Sequence, residues 1–418
     1  MARSPTVQRT YLTLTVLSTL SASFIWGINT LFLLDAGLSN TQAFAANAAF
    51  TAGQVLFEVP TGVVADVRGR KLSYLLGAGT LLISTLLYLY LWEVAAPFWA
   101  WAIVSALLGL GFTFFTGAVE AWLVDALNFT GYTGPLEAVF AKAQIAGGIS
   151  MLVGSVAGGF IAQATNLGVP YIIRAVFLIL TFGVAFFMMH DIGFTPAAST
   201  GPILEVKRVM QESVDNGWKN RPVRWIMLSA PFTMGIMVYA FYAMQPYLLE
   251  LYGDPTAYGI AGLAAAIVAG AQIVGGLSVP LVRKLFRYRT QAIATLTVLS
   301  VAALVFIGLT SNLAVAISFL VVWGLMYAAA LPMRQAYLNG LIHSDARATV
   351  LSFDSLMGSA GGVVSQPLLG RTADVWGYST SYVVSAGFQL FALPFLLLAR
   401  RENAVSDPIS NGPTLIPG

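Results

Sequence analysis

Gly62-Val63-Val64-Ala65-Asp66-Val67-Arg68-Gly69-Arg70-Lys71 joins two long apolar runs, 42–64 and 72–92. Each run holds about 20 residues, enough to cross the roughly 30 Å hydrocarbon core of a bilayer as a helix. The stretch between them is short and basic. Gly62 and Gly69 let the backbone turn tightly and let helices approach, Asp66 can accept hydrogen bonds at a helix N-terminus, and Arg70 can pair with a carboxylate. Such a stretch reads as a latch between two membrane-crossing helices.

Working outward, apolar runs recur at 11–34, 42–64, 72–92, 97–124, 138–165, 170–190, 223–251, 257–281, 291–310, 313–337, 348–370 and 379–399. The chain is thus expected to be an all-α membrane protein of twelve spans. Its composition agrees. Of 418 residues 57% are hydrophobic and 9% charged, against the roughly 25% charged residues of soluble domains. The 40 glycines and 18 prolines suit close-packed and broken membrane helices. With no cysteine and only His190 and His343, thiolate catalysis, disulfides and cysteine- or histidine-rich metal sites are excluded, and no cofactor is expected.

With a cytoplasmic N-terminus, nineteen of the 21 basic residues fall on the cytoplasmic side and only Arg174 and Arg371 do not. That asymmetry is the positive-inside pattern, and it places both termini in the cytoplasm. It also accounts for the net charge of +3 without a nucleic-acid partner. The polar stretch 191–222 divides the spans six and six, giving an N-terminal half at 1–190 and a C-terminal half at 223–401. Within the divider, Ile203–Met210 alternates apolar and charged groups at helical spacing, as an interfacial amphipathic helix does. The tail 402–418, rich in Pro, Ser, Asn and Gly, reads as disordered.

The segment 62–71 resembles the loop signature G-x-x-x-D-x-x-G-R-K of the major facilitator superfamily, and every fixed position matches. The six-and-six layout extends the resemblance over the chain. It implies two pseudo-symmetric six-helix halves working by alternating access, usually as a monomer. It also implies a gating latch of Gly62, Asp66, Gly69 and Arg70, with Asp66 docking on the start of span 11 and Arg70 pairing with an acid at the end of span 4, here Asp125.

A repeat appears at an offset of 308. Gly62, Ala65, Asp66, Val67, Gly69, Ser73, Tyr74, Ala78 and Gly79 recur as Gly370, Ala373, Asp374, Val375, Gly377, Ser381, Tyr382, Ala386 and Gly387. Inverted repeats nested within the halves would produce this, and so would chance in Gly/Ala-rich sequence.

Ionisable groups inside spans cost several kcal/mol unless paired or hydrated, so each is a candidate site. Glu120, Asp35, Glu58 and Asp354 are the proton-coupling candidates. Glu120 and Asp125 lie five residues apart, about 140° around a helix, so one can face a cavity while the other meets Arg70. Asp354 could instead pair with Arg334, and Glu58 could belong to the latch.

By the resemblance, spans 1, 4, 7 and 10 line the substrate path. They carry Trp26, Asn29, Phe115, Trp122, Tyr239, Tyr242, Gln245, Trp323 and Tyr327. An aromatic lining with few fixed charges suits lipophilic or cationic molecules. The family's proton-driven exporters carry G-x-x-x-G-P-x-x-G-G on span 5; here Ser150–Gly159 keeps Gly154, Gly158 and Gly159 but has serine at 150 and 155. The expected activity is proton-coupled efflux of drug-like molecules across a bacterial inner membrane. Symport of a specific metabolite such as a sugar or organic acid is the alternative.

Overall fold

A computed structural model describes residues 4–115, 117–196, 217–342 and 347–409, together with Lys207 and Gln211. The amphipathic segment expected at 203–210 and the tail beyond 409 lie outside the described residues. Among the described residues ten helices are long and apolar enough to cross a membrane by themselves. An eleventh crossing is the pair Ser4–Trp26 and Asn29–Asp35, bent by 49°. The run Thr349–Arg401 covers 53 residues, about 80 Å of helix at 1.5 Å per residue, which is far too long for one crossing. It breaks at Gly377, where φ 80° and ψ 168° are non-helical, and so makes two spans. Twelve crossings result, each within a few residues of its expected position.

The local chemistry explains where helices start and break. Ser39 and Gln42 form a capping box at the head of Asn40–Arg68, and the Asn312 side chain caps Leu313–Asn339, each satisfying amides that the first helical turn leaves open. Span 4 is broken. Phe98–Phe115 ends and Ala118–Phe129 begins after Gly117, whose φ of 77° a side-chain-bearing residue rarely adopts.

Large apolar side chains such as Phe187, Leu277 and Leu285 are more than two-thirds exposed. In water that surface would aggregate; facing lipid tails it is at home. The protein is an integral membrane protein.

The helices gather into two compact units. One contains spans 1–6 with Gly253–Ala266, and the other contains the remainder of spans 7–12. The first part of span 8 therefore packs with the N-terminal helices, across the six-and-six boundary. Glycines explain this. A Cβ at Gly262 would lie 2.9 Å from the Gly159 Cα, and one at Gly27 would lie 2.9 Å from the Gly262 Cα, closer than real Cβ atoms come. A Cβ at Gly158 would collide with the Phe24 carbonyl, and one at Gly154 with Ser23. The three glycines of the incomplete span 5 signature are thus contact points with spans 1 and 8.

Polar groups tie each unit internally. In the first, Arg174 is buried and donates to the Thr85 hydroxyl at 3.0 Å and the Ser21 carbonyl at 3.2 Å, while Asn29 bonds Asn47 at 2.9 Å and accepts from Tyr171 at 3.0 Å. In the second, Tyr247 donates to the Ile307 carbonyl at 2.8 Å and Tyr382 to the Ala240 carbonyl at 2.7 Å.

The 308-residue repeat has a conformational counterpart. Gly69 (φ 108°, ψ 149°) and Gly377 (φ 80°, ψ 168°) share one glycine-dependent backbone state. Ala65 and Ala373, Ser73 and Ser381, and Tyr74 and Tyr382 are all buried, so each copy turns the same positions inward. Two helices joined by the same bend recur in both units.

The tail expectation needs correction. Residues 402–409 are bound to the second unit: Asp407 is buried, Ser406 donates to the Tyr337 carbonyl at 2.7 Å, the Ile409 amide donates to the Arg287 carbonyl at 2.9 Å, and the Trp225 indole donates to Glu402 at 3.0 Å. A polar, proline-containing composition signals irregular backbone, and irregular backbone can still be held by hydrogen bonds.

Candidate functional site

In the first unit the 62–71 segment forms a charged cluster. Arg70 lies between Asp66, with which it makes an ion pair one helical turn back, and Asp125 at 3.8 Å. The three latch residues picked from sequence are brought together. Sequence reading missed a fourth group. After span 6 the chain bends so that the Asp191 carboxylate accepts the Lys71 amide at 2.8 Å, capping the first turn of Arg70–Glu93. Beside it the Lys71 ammonium donates to the Phe186 carbonyl at 2.7 Å, and the Arg70 guanidinium stands 5.8 Å from the Phe194 ring. Gly69 is required here twice over: its φ is 108°, and a Cβ would strike Asp191.

Beyond the Gly117 break, Glu120 occupies the first turn of Ala118–Phe129. Its side chain is exposed. Phe115 is half-buried with its ring 4.4 Å from that of Tyr74. A carboxylate thus stands at a helix break, in the span that carries Phe115.

Glu58 lies on the other side of the same break. It lines a recess of about 460 Å³ with Thr61, Gly62, Ala65, Ser73, Thr113 and Gly117.

In the second unit Asp354 and Arg334 are both buried and form a two-point ion pair, Nε to Oδ2 at 3.3 Å and Nη2 to Oδ1 closer still, while Arg334 Nη1 donates to the Ser229 hydroxyl at 3.0 Å. Of the two roles open to Asp354, the geometry favours pairing. Tyr327 and Arg334 line a cleft of about 460 Å³ with Thr233, Met326, Thr297 and Gln389.

Three expected site residues make defined contacts. Trp122 is buried and donates its indole N–H to the His190 carbonyl at 2.7 Å. Tyr239 is buried with its hydroxyl on Ser381 and, at 3.3 Å, on the Leu369 carbonyl. These two rings bind helix to helix. Asp35 is exposed at a helix end, where it accepts from the Trp92 indole at 2.8 Å; a solvated acid needs no coupling role. Of the rest, Asn29 sits in the polar knot with Asn47 and Tyr171, and Gln245 and Trp323 are buried. Trp26, Tyr242 and Tyr327 are half-buried, Tyr242 meeting Phe241 edge-on at 5.6 Å between ring centres.

Twelve broken and glycine-packed membrane helices in two units, with a charged cluster at one loop, define the class: a polytopic secondary transporter. The profile of the Major Facilitator Superfamily matches residues 11–365, and the chain belongs to that family. It is a transporter and not an enzyme.

Solved structures with the same fold include the nucleoside transporter NupG, at TM-score 0.75 and 12% identity over 94% of this chain and 98% of that one. A bacterial homologue of the human lysosomal transporter Spinster, inward-facing and unoccupied, aligns at TM-score 0.71 and 16% identity over 98% and 99% of the chains. The human organic anion transporter MFSD10 aligns at 0.62 and 13% over 95% and 100%. Comparison with curated protein sequences finds no match.

Proposed function

We propose that this protein is a proton-coupled exporter of lipophilic or cationic small molecules, acting as a monomer in a bacterial plasma membrane with both termini in the cytoplasm. One observation carries the reading: the exposed Glu120 carboxylate stands just after the Gly117 break, on the span that also carries Phe115 and Trp122. A carboxylate beside aromatic faces can hold either a proton or a cationic, ring-bearing guest. Competition between the two is what antiport needs, since a ligand shifts an equilibrium only through its differential affinity for the states. Trp26 and Phe115 in the first unit, and Tyr242 and Tyr327 in the second, all half-buried, are the aromatic candidates for substrate contact.

The charged cluster of Asp66, Arg70 and Asp125 is the gate in this reading. Its groups are partly exposed, so the pairs are worth only about 0–1 kcal/mol each. A gate must open many times a second, and weak, hydrated pairs suit it. The basic loops supply the orientation through the positive-inside rule.

Symport of a metabolite is the second reading. The structural neighbours favour keeping it, because they include a nucleoside transporter and an organic anion transporter, and the span 5 glycines act as packing contacts that serve either direction. The experiment is a screen in inverted membrane vesicles carrying an imposed pH gradient. An exporter dissipates the gradient when lipophilic cations are added, and Glu120→Gln abolishes the response. Movement of one sugar or organic acid with the proton would replace export by symport.

A further inference from the structure

In the second unit the head of Arg289–Leu309 and the last turn of Ala392–Arg401 pack together. With the segment that follows, they enclose an open recess of about 880 Å³ lined by Tyr288, Leu397, Arg400, Arg401, Asn403 and Asp407. Two of these are arginines whose charge is unspent. Among the described residues no acid pairs with Arg400 or Arg401, and residues 410–418 carry no acidic side chain. The Arg400 guanidinium lies 4.9 Å from the Tyr288 ring centre. Stacking of this kind uses the flat face of the guanidinium and leaves the N–H groups at its edge for an anion.

The acids nearby are already engaged. Both Asp407 oxygens hold Thr290, at 2.8 Å each, and Glu402 accepts from the Trp225 indole at 3.0 Å. Arg287 and Arg289 flank Tyr288 in sequence, and Arg289 donates to the Pro408 carbonyl at 2.8 Å. Four arginines thus stand against two acids whose oxygens are in use. The remaining wall is apolar, since Leu397 lies one turn before Arg401 and is more than half exposed.

Position along the spans selects among anions. One crossing begins at Arg289 and another stops at Arg401, so the recess stands where hydrocarbon gives way to headgroups. Leu397 is on the lipid side and the arginines are on the water side. A guanidinium matches a phosphate with two parallel N–H bonds, and basic pockets at the ends of spans hold anionic headgroups. A phosphate in solution would use the arginines and leave Leu397 idle. A lipid uses both.

We propose that the recess of Tyr288, Leu397, Arg400 and Arg401 binds the phosphate of an anionic phospholipid, whose acyl chains run past Leu397 into the bilayer. A lipid held there bridges the head of span 9 to the end of span 12 and reinforces the grip of Asp407 on Thr290. The inference needs only that the chain is a membrane protein; it is independent of the solute carried and of the direction of transport.

The test titrates the full-length protein in dodecyl maltoside with phosphatidylglycerol, reading the thermal midpoint and, by native mass spectrometry, the lipid retained. Wild type is stabilised saturably by phosphatidylglycerol, and not by phosphatidylcholine or inorganic phosphate at matched concentration. The double variant Arg400→Gln/Arg401→Gln weakens the apparent affinity roughly thirtyfold, about fivefold for each charge. Lys142→Gln, which removes an exposed charge from the other unit, leaves it unchanged. Tyr288→Ala, which removes the support of Arg400, weakens binding, and Tyr288→Phe keeps it. Should the double variant not yield folded protein, the Tyr288 pair decides. The site is refuted if phosphatidylcholine stabilises as well as phosphatidylglycerol, if inorganic phosphate reproduces the effect, or if the double variant responds like wild type. Equal loss in Lys142→Gln, or equal binding by Tyr288→Ala and Tyr288→Phe, would refute it as well.

Discussion

Asp407 grips Thr290 with both carboxylate oxygens, taking the backbone amide through one and the side-chain hydroxyl through the other, each at 2.8 Å. Thr290 lies in the first turn of Arg289–Leu309, the ninth span. In the first unit Asp191 takes the Lys71 amide at the head of the third span, also at 2.8 Å. In both units, then, an aspartate that follows the last span reaches back across more than a hundred residues to cap the third. Removing such a cap costs about 0.5–2 kcal/mol. Asp407→Ala should lower the thermal midpoint of the purified protein by a few degrees, and Asp407→Asn, which keeps an acceptor, by less. Equal stability of Asp407→Ala and wild type would show that the tail merely rests there.

The pair of Arg334 and Asp354 is a different kind of interaction, being buried among spans 7, 10 and 11. Deleting one partner leaves a charge in a low-dielectric interior, at about 3–5 kcal/mol. Asp354→Asn and Arg334→Met should each reduce the yield of monodisperse protein sharply. The double variant should recover much of it, because two neutral groups leave no orphaned charge. Single variants as stable as wild type would contradict the buried pairing.

Latch residues should behave in the opposite way. Asp66→Asn and Asp125→Asn remove partly exposed partners of Arg70, so thermal midpoints should shift by about 1 kcal/mol or less. Transport rates in vesicles should nonetheless fall several-fold. A stability loss in proportion to the activity loss would make these residues structural.

Glycine contacts offer a matched comparison. Gly158→Ala puts a methyl group onto the Phe24 carbonyl, while Gly79→Ala meets nothing within 4 Å. Overpacking costs about 1–3 kcal/mol, and a helical alanine in open space is neutral or mildly stabilising. Midpoints measured by intrinsic tryptophan fluorescence should separate the two variants by several degrees.

Much of this architecture was legible in the sequence because lipid imposes a simple rule, that each crossing needs about 20 apolar residues. The charged cluster was legible because Gly62, Asp66, Gly69 and Arg70 sit close together, and Asp125 followed as an acid at a helix end. Asp191 and Asp407 were not, since their partners lie 120 and 117 residues away and a lone aspartate in a polar segment carries no period. The contacts of Trp122 and Tyr239 were not legible for another reason. Hydropathy tells that a ring leaves water, and only the neighbouring helices tell whether it meets a cavity or a carbonyl.

The measurement that bears most directly on proton-coupled export is the sign of coupled flux in proteoliposomes. Purified protein is reconstituted with a pH indicator inside, a lipophilic cation is added on one side, and proton and cation movements are followed together. The account predicts that proton and cation cross in opposite directions and that Glu120→Gln stops both. Movement of the two in the same direction, or undiminished exchange by Glu120→Gln, would contradict it.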